Sequence, residues 1–268
     1  MKIFTEPKKL QKWCLAQRLA GKKIALVPTM GYLHEGHMSL IKAAKRKGAD
    51  EIVVSVFVNP VQFGPNEDYE KYPRDAAADE AKCREAGATA IFFPTPENMY
   101  LDAHSVYVNE EKLSTGLCGA RRPGHFRGVC TVVAKLFNLA HPNFAVFGQK
   151  DYQQAQIIKR MVRDLNFDLD IVVAPIVREK SGLAKSSRNT YLSEKEKEMA
   201  LAISRSLKAP KSTAAITKEL TEAGLKVDYV ECVDATTLEP KKKIEKGTCV
   251  LIAAYCGKTR LIDNKVIK

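Results

Sequence analysis

Two of the chain's five histidines stand three residues apart in MGYLHEGH, residues 30–37, with Gly31 and Gly36 beside them. The stretch follows an apolar run, KIALVPT, and precedes MSLIKAAKRKG, which has helical spacing and a terminal glycine at Gly48. A strand feeding a helix at this point sets unpaired backbone N–H groups at the helix start, and these favour anions. His34 and His37 could donate to phosphate oxygens, and the glycines would let a ligand approach the backbone closely. Two other readings stay open on these residues alone. One is a plain strand-to-helix turn. The other is part of a zinc site, although no third ligand is evident and the spacing is not HExxH.

Four further polar groups share this placement. Asn59 and Gln62 lie in VFVNPVQFGPNEDYEKYPRD after the next apolar run, and amides there suit carboxylate and hydroxyl groups. RRPGHFRG, residues 121–128, sets Arg122 and His125 before an apolar helix, as an anion site or a surface loop. In FGQKDYQQ, Lys150 could meet a phosphate, Asp151 could hold sugar hydroxyls, and Gln154 falls one turn further on. In AKSSRN, two hydroxyls and an arginine on a mobile loop could close over phosphates. Neither GxxxxGK[ST] nor GxGxxG occurs, so the phosphate-binding loop and the dinucleotide fingerprint are both excluded.

These groups need a scaffold that brings strand ends together. Apolar runs at KIALVPT, EIVVSVFVN, TAIFFP, FAVFG and LDIVVAP alternate with helical stretches, the first of them TEPKKLQKWCLAQRLAG with Thr5 as its expected cap. The alternation predicts an α/β fold whose parallel sheet is covered by helices on both faces. Such sheets bind ligands beyond the carboxyl ends of their strands. Past Val177 the pattern changes. Ser193 and Glu196 make a capping box, and KVDYVECVD and TCVLIAAYC read as strands of a smaller α+β domain. The expected division is 1–176 and 177–268.

Composition narrows the partners. The net charge is +12, with 24 basic against 19 acidic residues through position 176 and 19 against 12 after it. The excess is diffuse and aromatics are 7%, which argues against a nucleic-acid partner and fits a small anionic substrate. No apolar run reaches the roughly 18 residues of a membrane span. Seven cysteines without a CxxC and no apolar signal core point to a reducing cytoplasm.

PTMGYLHEGHMSL, FVNPVQFGPNEDYEKYPR, HFRGVCTVVAKLFN, FGQKDYQQ and GLAKSSRN, taken in that order, resemble the pantothenate synthetase family, the AMP-forming pantoate–β-alanine ligases. HEGH is also similar to the HIGH signature of the wider nucleotidyltransferase superfamily, and KSSR to its mobile phosphate-contacting motif. The resemblance implies a Rossmann-like domain, ATP and Mg²⁺, the substrates pantoate and β-alanine, a pantoyl adenylate intermediate and a homodimer. It implies that Met30, Gly31, Tyr32, Leu33, His34, Glu35, Gly36 and His37 hold ATP, with His37 as proton donor. Gly148, Gln149, Lys150 and Asp151 join them, as do Val177, Lys185, Ser186, Ser187 and Arg188, whose hydroxyls and guanidinium clamp phosphates. Gln62 and Gln154 bind pantoate, and Asn59, Arg122 and His125 line the site. No residue is expected as a direct metal ligand, and Asp79 is a candidate for the outer shell. Lys185 stands where the family usually has Met, Gln149 where Glu is common, and Tyr32 where a small residue is common. The alternative is another adenylyl-transferring enzyme of the HIGH superfamily.

Overall fold

The computed structural model describes residues 1–65 and 67–268. It divides into two compact units, Met1–Gly148 with Gln154–Ala174, and Gln149–Gln153 with Pro175–Lys268.

In the first unit the chain runs β1 (Lys2–Phe4), α1 (Pro7–Leu19), β2 (Ile24–Thr29), α2 (Glu35–Arg46), β3 (Glu51–Val56), α3 (Ala76–Ala86) and β4 (Ala90–Phe92). Two short helices, α4 (Pro96–Met99) and α5 (Leu117–Arg121), precede α6 (His125–Ala140), β5 (Phe144–Gly148), α7 (Tyr152–Asp164) and β6 (Asp170–Ala174). The six strands form one sheet in the order β1-β4-β3-β2-β5-β6, every pair parallel. The α/β parallel sheet expected from the alternation is present.

Strand residues alternate between faces, and both faces are covered, so the runs are continuously apolar. Ala25, Val27, Ile52, Val54, Phe144 and Val146 pack with Leu40, Ile41 and Ala44 of α2 in one core cluster. Their neighbours on the opposite face, Leu26, Val53 and Ala145, are equally inaccessible. Burying Ile41 alone is worth about 2–3 kcal/mol by area. α1 begins at Pro7, with Glu6 rather than Thr5 at its cap position. That is natural for a helix whose first N–H is replaced by a proline ring.

The second unit carries α8 (Glu194–Ser206), α9 (Thr213–Glu222) and an antiparallel sheet β7 (Lys226–Asp234), β8 (Thr248–Cys256), β9 (Thr259–Val266) in that order. The Ser193–Glu196 capping box forms as the sequence predicts. Ile203, Leu207, Ile216 and Leu220 of the helices meet Val250, Ile252 and Ala254 of β8. All seven cysteines are free. Burial pushes the Cys14, Cys83, Cys130 and Cys249 thiols up to about 12, which leaves them unreactive.

Candidate active site

The site in the first unit follows from the strand order. From β2 the chain adds β3 and β4 on one side, then crosses to place β5 and β6 on the other. The point of reversal lies between β2 and β5, where parallel sheets open a crevice at their carboxyl ends. Met30–His37 leave β2 at that edge, Asn59–Gln62 follow β3, and Gly148 ends β5.

The turn out of β2 is made by Gly31 (φ 87°) and Tyr32 (φ 50°), both left-handed. Glycine at 31 is required twice over. A Cβ there would stand 2.8 Å from Val56 Cγ1 and 2.9 Å from Asp79 Oδ2. Asp79, almost fully buried on α3, accepts the N–H of Tyr32 at Oδ2 (2.8 Å) and that of Leu33 at Oδ1 (2.6 Å). Lys82 donates to the Leu33 carbonyl (2.7 Å). Burial raises the Asp79 carboxyl above its ordinary range, outweighing the two N–H donors. The carboxylate that the sequence offered for a metal's outer shell is thus a clamp on the loop before His34.

His34 caps α2. Its Nδ1 accepts the Gly36 N–H (3.1 Å), and the His34 N–H donates to His37 Nδ1 (3.2 Å). The rings stack with centroids 4.1 Å apart. A backbone N–H only donates, so in each neutral ring the proton sits on Nε2. Gly36 is the second residue of α2, in helical conformation. The close turn falls at Gly31, and the part played by Gly36 is its N–H.

After β3, Pro60–Gln62 form a 3-10 turn. Asn59 and Gln62 are both buried. Asn59 Nδ2 donates to the Gly128 carbonyl (3.2 Å) and to Gln62 Oε1 (3.0 Å), while Tyr100 O–H donates to Asn59 Oδ1 (2.7 Å). Gln62 Nε2 faces Met30 Sδ at 3.3 Å. The main chain of Gln62 is held as well. Its carbonyl lies 2.8 Å from His125 Nδ1, and His125 Nε2 lies 2.9 Å from Arg122 Nη1. Arg122 in turn grips Glu67 through Nε–Oε1 (2.7 Å) and Nη2–Oε2 (2.5 Å). Burial acts to raise the Glu67 carboxyl, but the Arg122 hydrogen bond and charge outweigh it and hold it below its ordinary range. An arginine only donates, so His125 accepts at Nε2 and donates from Nδ1 to Gln62. Arg122 and His125, which the sequence left as an anion site or a surface loop, brace the Gln62 turn.

The structure therefore joins Met30, Asn59, Gln62, Arg122 and His125 into one bonded group, with Gln154 outside it on α7. Sequence reasoning missed Glu67 and Tyr100. Tyr100 lies 41 residues from Asn59, and no local pattern could have tied them.

In the second unit, Gln149–Asp151 form a 3-10 turn. Asn264 of β9 donates from Nδ2 to the carbonyls of Gln149 (2.9 Å) and Lys150 (3.0 Å), and Gln149 Nε2 donates back to Asn264 Oδ1 (3.2 Å). An amide at 149 thus makes a bond that a carboxylate could not. The AKSSRN segment leaves a short hairpin that precedes it. Lys185 N–H donates to the Val177 carbonyl (2.9 Å), and Arg178 bridges Ala184. Arg178 also forms a bidentate pair with buried Asp263 (2.6 and 3.0 Å). Ser186 then caps a 3-10 turn, Ser187–Tyr191, by accepting the Arg188 N–H (3.3 Å). Ser187 is buried.

A family model described as pantoate-beta-alanine ligase matches residues 2–266. A pantothenate synthetase of Clostridium novyi (strain NT) is 52% identical, with 100% of this chain and 97% of the relative covered. One from Thermotoga petrophila is 50% identical over the full length of both. Among solved structures, the pantothenate synthetase of Thermus thermophilus superposes with a TM-score of 0.91 at 41% identity, covering 99% of both chains. The pantoate-beta-alanine ligase of Francisella tularensis, solved as a complex with beta-gamma ATP and beta-alanine, superposes with a TM-score of 0.87 at 35% identity, covering 99% of this chain and 97% of that one.

Proposed function

The chain belongs to the pantoate–β-alanine ligase family, and from that premise we propose how its residues join pantoate to β-alanine at the expense of ATP. The pantoate carboxylate attacks the α-phosphorus of ATP, giving pantoyl adenylate and pyrophosphate. The β-alanine amine then displaces AMP to form the amide. A carboxylate is a poor acceptor of amines because oxide is a poor leaving group, and adenylation supplies a good one. The protein's share is positioning and charge stabilisation.

One observation carries the reading of the first step. Both imidazoles at the head of α2 are held by backbone N–H groups at Nδ1, so their Nε2–H groups are the donors. In this reading His34 and His37 stabilise charge on the phosphates as neutral donors, beside the partial positive end of α2. Gln62 and Gln154 hold pantoate, and Gln62 also borders the β-alanine site. Gly148 through Asp151, Val177 and Lys185 through Arg188 contact the nucleotide. Among the described residues no cluster of three or more His, Cys, Asp or Glu could hold a metal ion. On the family resemblance, Mg²⁺ arrives with ATP, bound through phosphate oxygens and water. No helix of the described residues is long and apolar enough to cross a membrane. A homodimer and a cytoplasmic setting complete the reading, on the family resemblance.

Isotope exchange between pyrophosphate and ATP tests it. Exchange should need pantoate and not β-alanine, and AMP release should need both. AMP release without pantoate would overturn the reading. His37→Ala should lower turnover at least ~100-fold, within the range for losing a charge-stabilising donor.

A further inference from the structure

Gln62 can present either end of its amide to a ligand, and the two ends have opposite chemistry. The NH₂ group donates and the carbonyl accepts. The surrounding bonds decide which end is presented, and the decision can be traced to a backbone group. The Gly128 carbonyl can only accept, so the Asn59 atom 3.2 Å from it is the NH₂ nitrogen. That puts Asn59 Oδ1 toward Tyr100, whose hydroxyl donates to it at 2.7 Å. The second Asn59 hydrogen goes to Gln62 Oε1 at 3.0 Å. The Gln62 carbonyl is thereby engaged, and its NH₂ end is left against Met30 Sδ, a weak acceptor. An oxygen ligand would displace that contact readily.

We propose that Tyr100 is a positioning residue for substrate. Through Asn59 it fixes the Gln62 amide with its NH₂ end toward the ligand, so that the site takes a hydrogen-bond acceptor such as a carboxylate or hydroxyl oxygen. The proposal rests on the reading that Gln62 binds pantoate. Burial raises the Tyr100 phenol above its ordinary range, so the hydroxyl stays protonated and remains a donor at neutral pH. Asn59 is 1% exposed and Gln62 8%, so water has little opportunity to replace the Tyr100 hydroxyl. The backbone leaves the turn little room to shift. A Cβ on Gly128 would lie 2.6 Å from the Val61 carbonyl and 2.7 Å from Gln62 Cα, so α6 touches the Gln62 turn directly. Without the phenolic O–H, the buried Asn59 carbonyl loses its donor. The reversed arrangement, with Gln62 Nε2 turned to Asn59 Oδ1, then competes.

The test is a double-mutant cycle on KM for pantoate, using the full chain with ATP and β-alanine saturating. Tyr100→Phe keeps the ring and should raise KM for pantoate about tenfold, the usual scale for a lost buried hydrogen bond. It should change kcat and the KM for ATP less than about twofold. In a Gln62→Ala background the same change should add nothing, because the amide it orients is gone. Asn59→Asp is the second variant. A carboxylate at 59 must draw the Gln62 NH₂ group to itself, so KM for pantoate should rise much more with Gln62 present than with Gln62→Ala. If Gln62→Ala raises KM for pantoate while Tyr100→Phe leaves it unchanged, the proposal fails and the reading of Gln62 stands. If Gln62→Ala leaves that KM unchanged, the reading of Gln62 fails and takes the proposal with it. If Tyr100→Phe acts equally in both backgrounds, or moves every kinetic constant alike, its role is structural and the proposal is wrong.

Discussion

Gly31→Ala should cripple the loop that leaves β2, and its cost can be worked from two sources. The backbone at φ 87° is left-handed, which costs an L-residue about 1–2 kcal/mol. The new methyl would also press on Val56 Cγ1 at 2.8 Å and Asp79 Oδ2 at 2.9 Å. Val56 belongs to β3 and cannot retreat far. Asp79 Oδ2 can move only by loosening its bond to the Tyr32 N–H, and a strained or lost buried bond costs about 1–3 kcal/mol. Together the loss is about 2–5 kcal/mol, or roughly 5–15 °C in Tm for a domain of this size. Thermal or urea unfolding measures it, alongside KM for ATP, which should rise because Tyr32, Leu33 and His34 leave their clamp. Val56→Ala removes the methyl at 2.8 Å. In the Gly31→Ala background it should return part of the loss while costing stability on its own, a coupling that the cycle reads directly. A Gly31→Ala variant with a Tm within about 2 °C of the parent, below the shift expected for even 1 kcal/mol, and an unchanged KM for ATP would refute the argument.

Glu67→Gln should cost about 1–2 kcal/mol near pH 7, by weakening the charged pair with Arg122 that braces the Gln62 turn. The folded Glu67 titrates below its unfolded value of 4.5, so its contribution is full above that value and lost as pH falls through the folded one. Urea titrations at several pH values should show the two proteins converging in acid. Asp79 has the opposite sign. Its folded carboxyl titrates above the unfolded value of 3.8, so its contribution falls as pH rises through that window. Asp79→Asn should remove that fall, yet raise KM for ATP by setting an NH₂ group against the Tyr32 or Leu33 N–H. Gln149→Glu should destabilise the second unit by about 1–3 kcal/mol in urea unfolding, because Asn264 Nδ2 is held by two carbonyls and Oδ1 must then face a carboxylate.

The sheet was legible because its inner strands β2–β5 are buried on both faces and read as unbroken apolar runs between helical stretches. β1 and β9 were not. Lys2–Phe4 is too short to show a period, and TRLIDNKV buries its polar Asp263 and Asn264 side by side, against any apolar period. Polar residues also hid the scaffold of the site. Asp79 sits among AAADEAKCREA, where a carboxylate reads as a solvated helix face, yet it is 1% exposed. Its partners are backbone N–H groups 46 and 47 residues away, and backbone groups leave no mark in a sequence. The partner of Arg122 was hidden for a related reason. A guanidinium before a helix suggests an anion site or a surface loop, and its partner Glu67 lies 55 residues earlier, beyond any local pattern.

Residue type says which groups are present and leaves open which end of each group faces a ligand. Imidazoles and amides each have a donating and an accepting end, and the sequence of this site is rich in both. The choice of end is made by groups that cannot reverse. The Gly36 and His34 N–H groups can only donate, so they consume Nδ1 of His34 and His37 and put the ring protons on Nε2. The Gly128 carbonyl can only accept, so it orients Asn59 and, through Asn59, Gln62. In both cases the result is a donor where the proposed ligand offers oxygen, phosphate in one place and carboxylate or hydroxyl in the other. Exchange of Asn59 or Gln62 for the isosteric acid should therefore harm function more than its small change of shape would suggest, because it reverses a polarity that the backbone has set.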